Sequence, residues 1–273
     1  MSRTRATRIW MGTIAALLPA VTAATLAWAA DPGTDSLPSY VTSISAQLDP
    51  RVEPTLARLD GTGRQLLALR SYLRSASHIA ERWSWTQEQI EAFAGSPEER
   101  GLQREIDRVR TAFVAANPGF ELYVNSRVRS LDVQVEHWNS NESVKAAAEE
   151  ILLAAQALIA EPGFPAHRPE QAREALKAFL TRHRPVPTPT IAAPGLSLHG
   201  QMRAVDFQVR QDGRIVAGPS TATVGTDWAV WAARLDAAVH EASNRFVGPQ
   251  ASPPAPWHYT YVPEGAGAGD AFE

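Results

Sequence analysis

The chain has 273 residues, a formal net charge of −3 at pH 7, 44% hydrophobic and 20% charged residues, and no cysteine. Its length suits one domain of ~200–250 residues, or one domain with a helical addition, and its apolar fraction is enough for a sizeable core. The missing cysteine excludes disulfides, a cysteine zinc site, a cysteine nucleophile and a lipid-anchoring cysteine, and the near-neutral charge gives no reason for a nucleic-acid partner.

The chain opens with Arg3, Arg5 and Arg8, continues with an apolar run over 9–30, and carries Ala27-Trp28-Ala29 just before Ala30-Asp31-Pro32. A basic start, an apolar stretch and a small-x-small site predict a secretory signal peptide over 1–29 and a mature chain from Ala30. The alternative is an uncleaved anchor, since the run is near spanning length; membrane contact would then be through this segment alone. Pro19 and the polar stretch 31–39 favour cleavage. Either way the folded part lies outside the cytoplasm, periplasmic or secreted.

Helices come next, forming a helical extension over 36–116. Residues 65–83 place Leu66, Leu69, Leu73, Ala76, Ala80 and Trp83 on one 3.6-residue stripe and predict a single helix. Ser84-Trp85-Thr86 reads as packing plus an N-cap, Thr86 with Gln89. Ser96-Pro97-Glu98-Glu99 is a capping box with proline at the first helical position; its helix presents Leu102, Ile106, Val109, Phe113 and Ala116. Asn117-Pro118-Gly119 ends it. A short strand over 120–124 leads into a loop carrying Ser126, Arg129 and Gln134. Ser140 or Asn141 caps an alanine-rich helix to 159, and Pro169 starts another over 170–182. A proline-rich connector over 185–194 delivers the chain to Ser197.

Residues 204–209 alternate Val205, Phe207 and Val209 with Asp206 and Gln208, a strand; Asp212-Gly213 turns it into a hairpin with 214–217. A helix is expected over 227–246. Near the end, Trp257, Tyr259 and Tyr261 alternate with His258 and Thr260. The tail 264–273 is small and acidic, a composition of disorder.

His199, Asp206 and His258 form a candidate metal set. Two imidazoles and a carboxylate are what a catalytic zinc site asks for, with a fourth position left for water. His199 and Asp206 are seven apart. In one strand they would face opposite sides, and in one helix they would sit about 10 Å apart. A loop-to-strand transition brings both to one ion. A lone histidine in a half-buried strand is ordinarily structural; two such segments plus the aspartate weigh against that. His78, His167, His183 and His240 fall on helices or their ends, where a surface histidine is ordinary. His137-Trp138 reads as cleft or core.

Ser197-x-His199-x-x-x-x-Ala204-x-Asp206 followed by Pro256-Trp257-His258 resembles the D-alanyl-D-alanine carboxypeptidase (VanY/VanX-like) family of zinc metallopeptidases, whose pattern is S-x-H-x-x-G-x-A-x-D, then E-P-W-H. The segment Ser126-Arg127-Val128-Arg129-Ser130 through Gln134 is similar to the family's S-G-Y-R-S…Q segment. The resemblance spans residues 117–263. It implies a hedgehog/DD-peptidase-like zinc domain, Zn2+ held by His199, Asp206 and His258, and a substrate contact from Arg129 in a segment that Ser126 and Gln134 support. The partners it implies are peptidoglycan stem peptides.

Three positions depart from the pattern. Met202 stands where the family has glycine, Val128 replaces an aromatic, and Ala255 stands at the position of the catalytic glutamate. Without that carboxylate the proton of a metal-bound water has no evident acceptor. Glu264, Asp227 and Glu241 are the remaining candidates. The hedgehog signalling domain, of the same fold superfamily, keeps such a zinc site and is not known for peptidase work. The expected fold is α+β, a small antiparallel sheet carrying the metal with helices packed on it. The expected function is an exported zinc peptidase-like protein acting on peptidoglycan stem peptides, or alternatively a zinc-stabilised module that binds muropeptides or a protein partner without cleaving them.

Overall fold

The computed structural model describes residues 36–219, 227–263 and 265. The expected export segment 1–29, Ala30, Glu264 and the rest of the tail apart from Gly265 lie outside these residues. The chain runs through α1 (Ser36–Ser45), α2 (Val52–Leu56), α3 (Gly61–Arg74), α4 (Ile79–Arg82), α5 (Gln87–Phe93), α6 (Pro97–Ala116), β1 (Glu121–Val124), α7 (Leu131–Ser140), α8 (Glu142–Ala160) and α9 (Pro169–Arg182). A one-turn 3-10 helix (Leu198–Gln201), β2 (Ala204–Gln211), β3 (Arg214–Ala217), α10 (Trp228–Ala242), β4 (Phe246–Val247) and β5 (His258–Tyr261) follow. The fold is α+β: a curled antiparallel sheet in the order β1-β2-β5-β4, with β3 also paired to β2, packed with helices. No helix among the described residues is long and apolar enough to cross a membrane.

Helix starts follow the chemistry of their caps. Ser96 accepts from the Glu99 amide with Pro97 at the first turn, and Glu99 reaches back to the Gly95 amide. Thr86 and Gln89 close a capping box on α5, and the Asn141 side chain accepts from the Ser143 and Val144 amides at the head of α8. Asp212 and Gly213 both take positive φ, 50° and 73°, as a two-residue type I′ hairpin requires.

The buried side chains form two apolar clusters. One joins α1, α2 and α3 to α7, α8 and α9, with Tyr72, Trp138 and Trp83 among its large members. The other joins α6, α10 and the sheet through Phe113, Phe207, Trp228 and Tyr259. Each draws on residues from both sides of Ala116. In the first cluster α3 and α8 approach closely: a Cβ on Gly63 would lie 2.4 Å from the Ala148 carbonyl oxygen.

Three elements differ from the sequence expectation. The helix expected over 65–83 starts earlier and breaks at Ser75, whose amide bonds the Ser71 and Tyr72 carbonyls before α4 resumes. Serines compete with the helical backbone for such bonds. The break turns Trp83 back onto Tyr72, ring centroids 5.8 Å apart. The helix expected over 227–246 ends at Ala242, because Ser243 is extended and Phe246 is drawn into the sheet opposite Tyr261. The segment through Gln134, read as a loop, instead enters a helix over 131–140, capped by Ser130 accepting from the Val133 amide.

Candidate metal centre

Asp206 and His258 are direct cross-strand partners on β2 and β5, so their side chains leave the same face of the sheet. Their neighbours Val205, Phe207 and Tyr259 point the other way, into the core. That alternation fixes which face holds the polar pair, since a one-residue slip would bury the pair and expose the aromatics. His199 arrives from the 3-10 turn just before β2. The chain reverses between turn and strand at Met202, with φ 50° and ψ 27° and a side chain only 2% exposed. This is the left-handed conformation that glycine adopts without cost. Met202 tolerates it while burying its thioether chain in the sheet-side cluster.

The three side chains converge. His199 Nε2 lies 3.3 Å from His258 Nδ1 and 3.3 Å from Asp206 Oδ2, and His258 Nδ1 lies 2.9 Å from Asp206 Oδ1. A tetrahedral zinc with ligands near 2.0–2.1 Å sets neighbouring donors about 3.3–3.4 Å apart. The donor spacing therefore fits one small ion, and this group could hold a metal. Burial lowers the His199 pKa; the Asp206 hydrogen bond and charge oppose this, and the charges of Arg129 and His258 add to it. Burial raises the Asp206 pKa, but hydrogen bonds and charge from His199 and His258 outweigh it and hold the carboxyl well below the usual range. The His199, Asp206 and His258 side chains are 10%, 16% and 17% exposed, enough for one open position to meet water.

Arg129 adjoins the group. Its Nη2 lies 3.3 Å from Asp206 Oδ2, and its amide donates to the His199 carbonyl. Gln134, expected to support the Arg129 segment, does so from α7: its Nε2 donates to the Arg129 carbonyl and to Ser84 Oγ, both at 2.7 Å, and its Oε1 accepts from the Gly195 amide. Ser126 is half-buried and makes no side-chain hydrogen bond among the described residues. His137 is exposed and Trp138 fully buried in the helical core, so neither adjoins the metal set.

Sequence reading missed a brace behind His199. The Ser84 amide donates to the Gly195 carbonyl and the Trp85 amide to the Gly200 carbonyl. Gln201 Nε2 donates to the Glu81 and Trp83 carbonyls, and the Tyr72 hydroxyl to the Pro194 carbonyl. Gly200 sits at the tightest point, where a Cβ would lie 2.1 Å from Ser84 Oγ and 2.7 Å from Gln134 Nε2. Its position next to His199 was the available signal. Gly200→Ala is expected to cost about 3 kcal/mol, combining overpacking with a broken Ser84–Gln134 bond. The readout is a fall in Tm of roughly 10 °C. An unchanged Tm would mean that the brace yields freely.

Of the residues considered as proton acceptors, Glu264 lies outside the described residues. Ala255 is not on the ligand-bearing strand; it bridges Gln250 in the turn before β5, and its methyl packs in the sheet-side cluster. The proline pair at 253–254 and the Gln250 bridge hold this segment as a turn, with the His258 amide closing back to the Ala255 carbonyl. Glu241 lines a polar cleft of about 930 Å³ with Arg104, Arg203 and Arg245, away from the metal set. Asp227 stands at the head of α10 and does not belong to the group. Asp206 is the carboxylate in contact with His199, His258 and Arg129. No family model, curated protein or solved structure matches the chain.

Proposed function

We propose that this is an exported zinc-dependent protein of the D-alanyl-D-alanine peptidase type, with a hedgehog-like zinc domain, that takes peptidoglycan stem peptides as ligands. The observation that carries the reading is the convergence of His199 Nε2, His258 Nδ1 and Asp206 at zinc-ligand spacing beside a half-buried arginine. Two imidazole nitrogens and one carboxylate are a donor set suited to zinc. A bound zinc would supply Lewis acidity and a water of lowered pKa. Asp206 and the two imidazoles hold it, and the sheet keeps them in register. Arg129, 3.3 Å from Asp206 Oδ2, would offer its guanidinium fork to a terminal carboxylate of the peptide.

A second reading is a binding module that does not cleave. It is favoured by position 255, which brings a methyl group and no base. Both readings share the ligand and differ in turnover. Incubating zinc-loaded protein with purified muropeptides, with binding followed calorimetrically and product masses by spectrometry, tests them together. Saturable binding with little or no new product is expected. Zinc-loaded protein that neither binds nor cleaves muropeptides would overturn the ligand class.

Export is an independent expectation. N-terminal mass spectrometry of the native protein should find a chain beginning at or near Ala30. A native chain that still begins at Met1 would mean an anchor or a cytoplasmic protein.

A further inference from the structure

On the helical side of the molecule, a small surface pocket of about 190 Å³ opens between the end of α3, the end of α4 and the connector at 192–196. Arg70, Arg74 and Arg82 line it, together with Ser71 and Ser75, and no carboxylate does. Three guanidinium groups without an acid among them are an unusual lining, because like charges repel and helical neighbours at i and i+4 such as Arg70 and Arg74 destabilise the helix. The α3 C-terminus contributes carbonyls, which favour cations, but two of them are already taken by the Ser75 amide.

The arginines are partly tethered. Arg70 Nε donates to the His183 carbonyl and Arg74 Nη1 to the Thr181 carbonyl, which fixes each stem and leaves other N–H groups for a ligand. Arg82 Nε is buried and has no hydrogen-bond partner among the described residues. A buried donor of this kind calls for a partner. Burial lowers the Arg70 pKa, the charges of Arg74 and Arg184 lower it further, and burial lowers that of Arg82; these are the marks of uncompensated positive charge.

We propose that this pocket is a phosphate-class oxyanion site, in which Arg70, Arg74 and Arg82 hold a tetrahedral dianion with the Ser75 hydroxyl at its rim. Planar guanidinium forks match such oxygens two at a time. The volume has room for one phosphate group and a few waters. The shared chemistry is a terminal phosphate, free or carried on a larger molecule. The site is separate from the metal set and does not depend on the peptidase reading. It does border the connector that leads to His199.

The test is calorimetric titration of the zinc-loaded full chain with inorganic phosphate at ionic strength matched with chloride, repeated with phenyl phosphate. One saturable site is expected, weakened about tenfold or more by Arg82→Gln and by Arg74→Gln. Arg74 is exposed, so its variant remains informative if Arg82→Gln misfolds. Binding of both probes assigns the pocket to phosphate on a larger ligand, and binding of inorganic phosphate alone to the free ion. His199→Ala should leave binding intact. Phosphate binding that is absent, that is indifferent to both arginine variants, or that is lost only in His199→Ala would overturn the proposal.

Discussion

His199→Ala is expected to abolish stoichiometric zinc binding, whereas the parent chain should carry one zinc. His199 supplies one of three protein donors, and its Nε2 is 3.3 Å from both other partners. Losing an outer-shell partner of a metal site typically costs ~10–100-fold in affinity, and losing a ligand should cost more. The variant should still fold. The His199 backbone contacts, the Arg129 amide on its carbonyl and the 3-10 turn around it, do not use the imidazole. Stability gives a second readout. A metal that binds only the folded chain adds about 2.7 kcal/mol at a hundred times its dissociation constant, so zinc should raise the Tm of the parent and leave the variant unmoved. Arg129→Gln should retain zinc, because it removes a neighbour of Asp206 and not a donor. Zinc content equal in parent and His199→Ala, or zinc absent from the parent, would sink the assignment.

The candidate set was legible in its residue types and in the strand faces, which local alternation fixes. Asp206 and His258 each sit in a short alternating stretch, and alternation alone puts each on the face opposite Val205, Phe207 and Tyr259. The seven-residue gap to His199 excluded one strand and one helix, leaving the turn that is found. Helix caps at Ser96, Thr86 and Asn141 were legible for the same reason, since a cap is a bond between residues two or three apart.

What could not be read was written across long separations in ordinary residue types. Nothing about Ser84 announces that its hydroxyl meets Gln134, fifty positions away, or that Gly200 must be bare to let it. The stripe over 65–83 holds at Leu66, Leu69 and Trp83, which are buried, and fails at Ala76 and Ala80, which are exposed where the helix breaks; Trp83 is buried by a chain that has turned back on itself. Residues 131–140 did carry a signal. Ser130 followed by Asp132 in the first turn is an N-terminus, overshadowed by the resemblance of that segment to a loop.

Ala255→Glu is the substitution expected to change function most. The parent chain should hydrolyse D-alanyl-D-alanine-type peptides weakly or not at all, since alanine stands at position 255, where the resemblance places the acceptor for the proton of the attacking water. A glutamate three residues before His258 restores the carboxylate that the resemblance places there. General acid–base catalysis is worth roughly 10²- to 10⁴-fold, or about 3–5 kcal/mol of barrier, and turnover should rise within that range. The gain has a structural cost. Position 255 is 8% exposed and packs in the sheet-side cluster, so the new side chain must swing toward the metal face or carry a desolvation penalty of about 1–3 kcal/mol. Stability should therefore fall while activity rises, a divergence that a general improvement in folding would not produce. The comparison is steady-state muropeptide hydrolysis by parent and variant, each with one equivalent of zinc. If turnover stays at the parental background in a folded, zinc-loaded variant, the turn at 250–255 and the left-handed Met202 have reshaped the cleft, and the binding-module reading stands. Robust turnover by the parent that is lost on replacing Glu264 would instead identify the tail carboxylate as the base and the protein as a working peptidase.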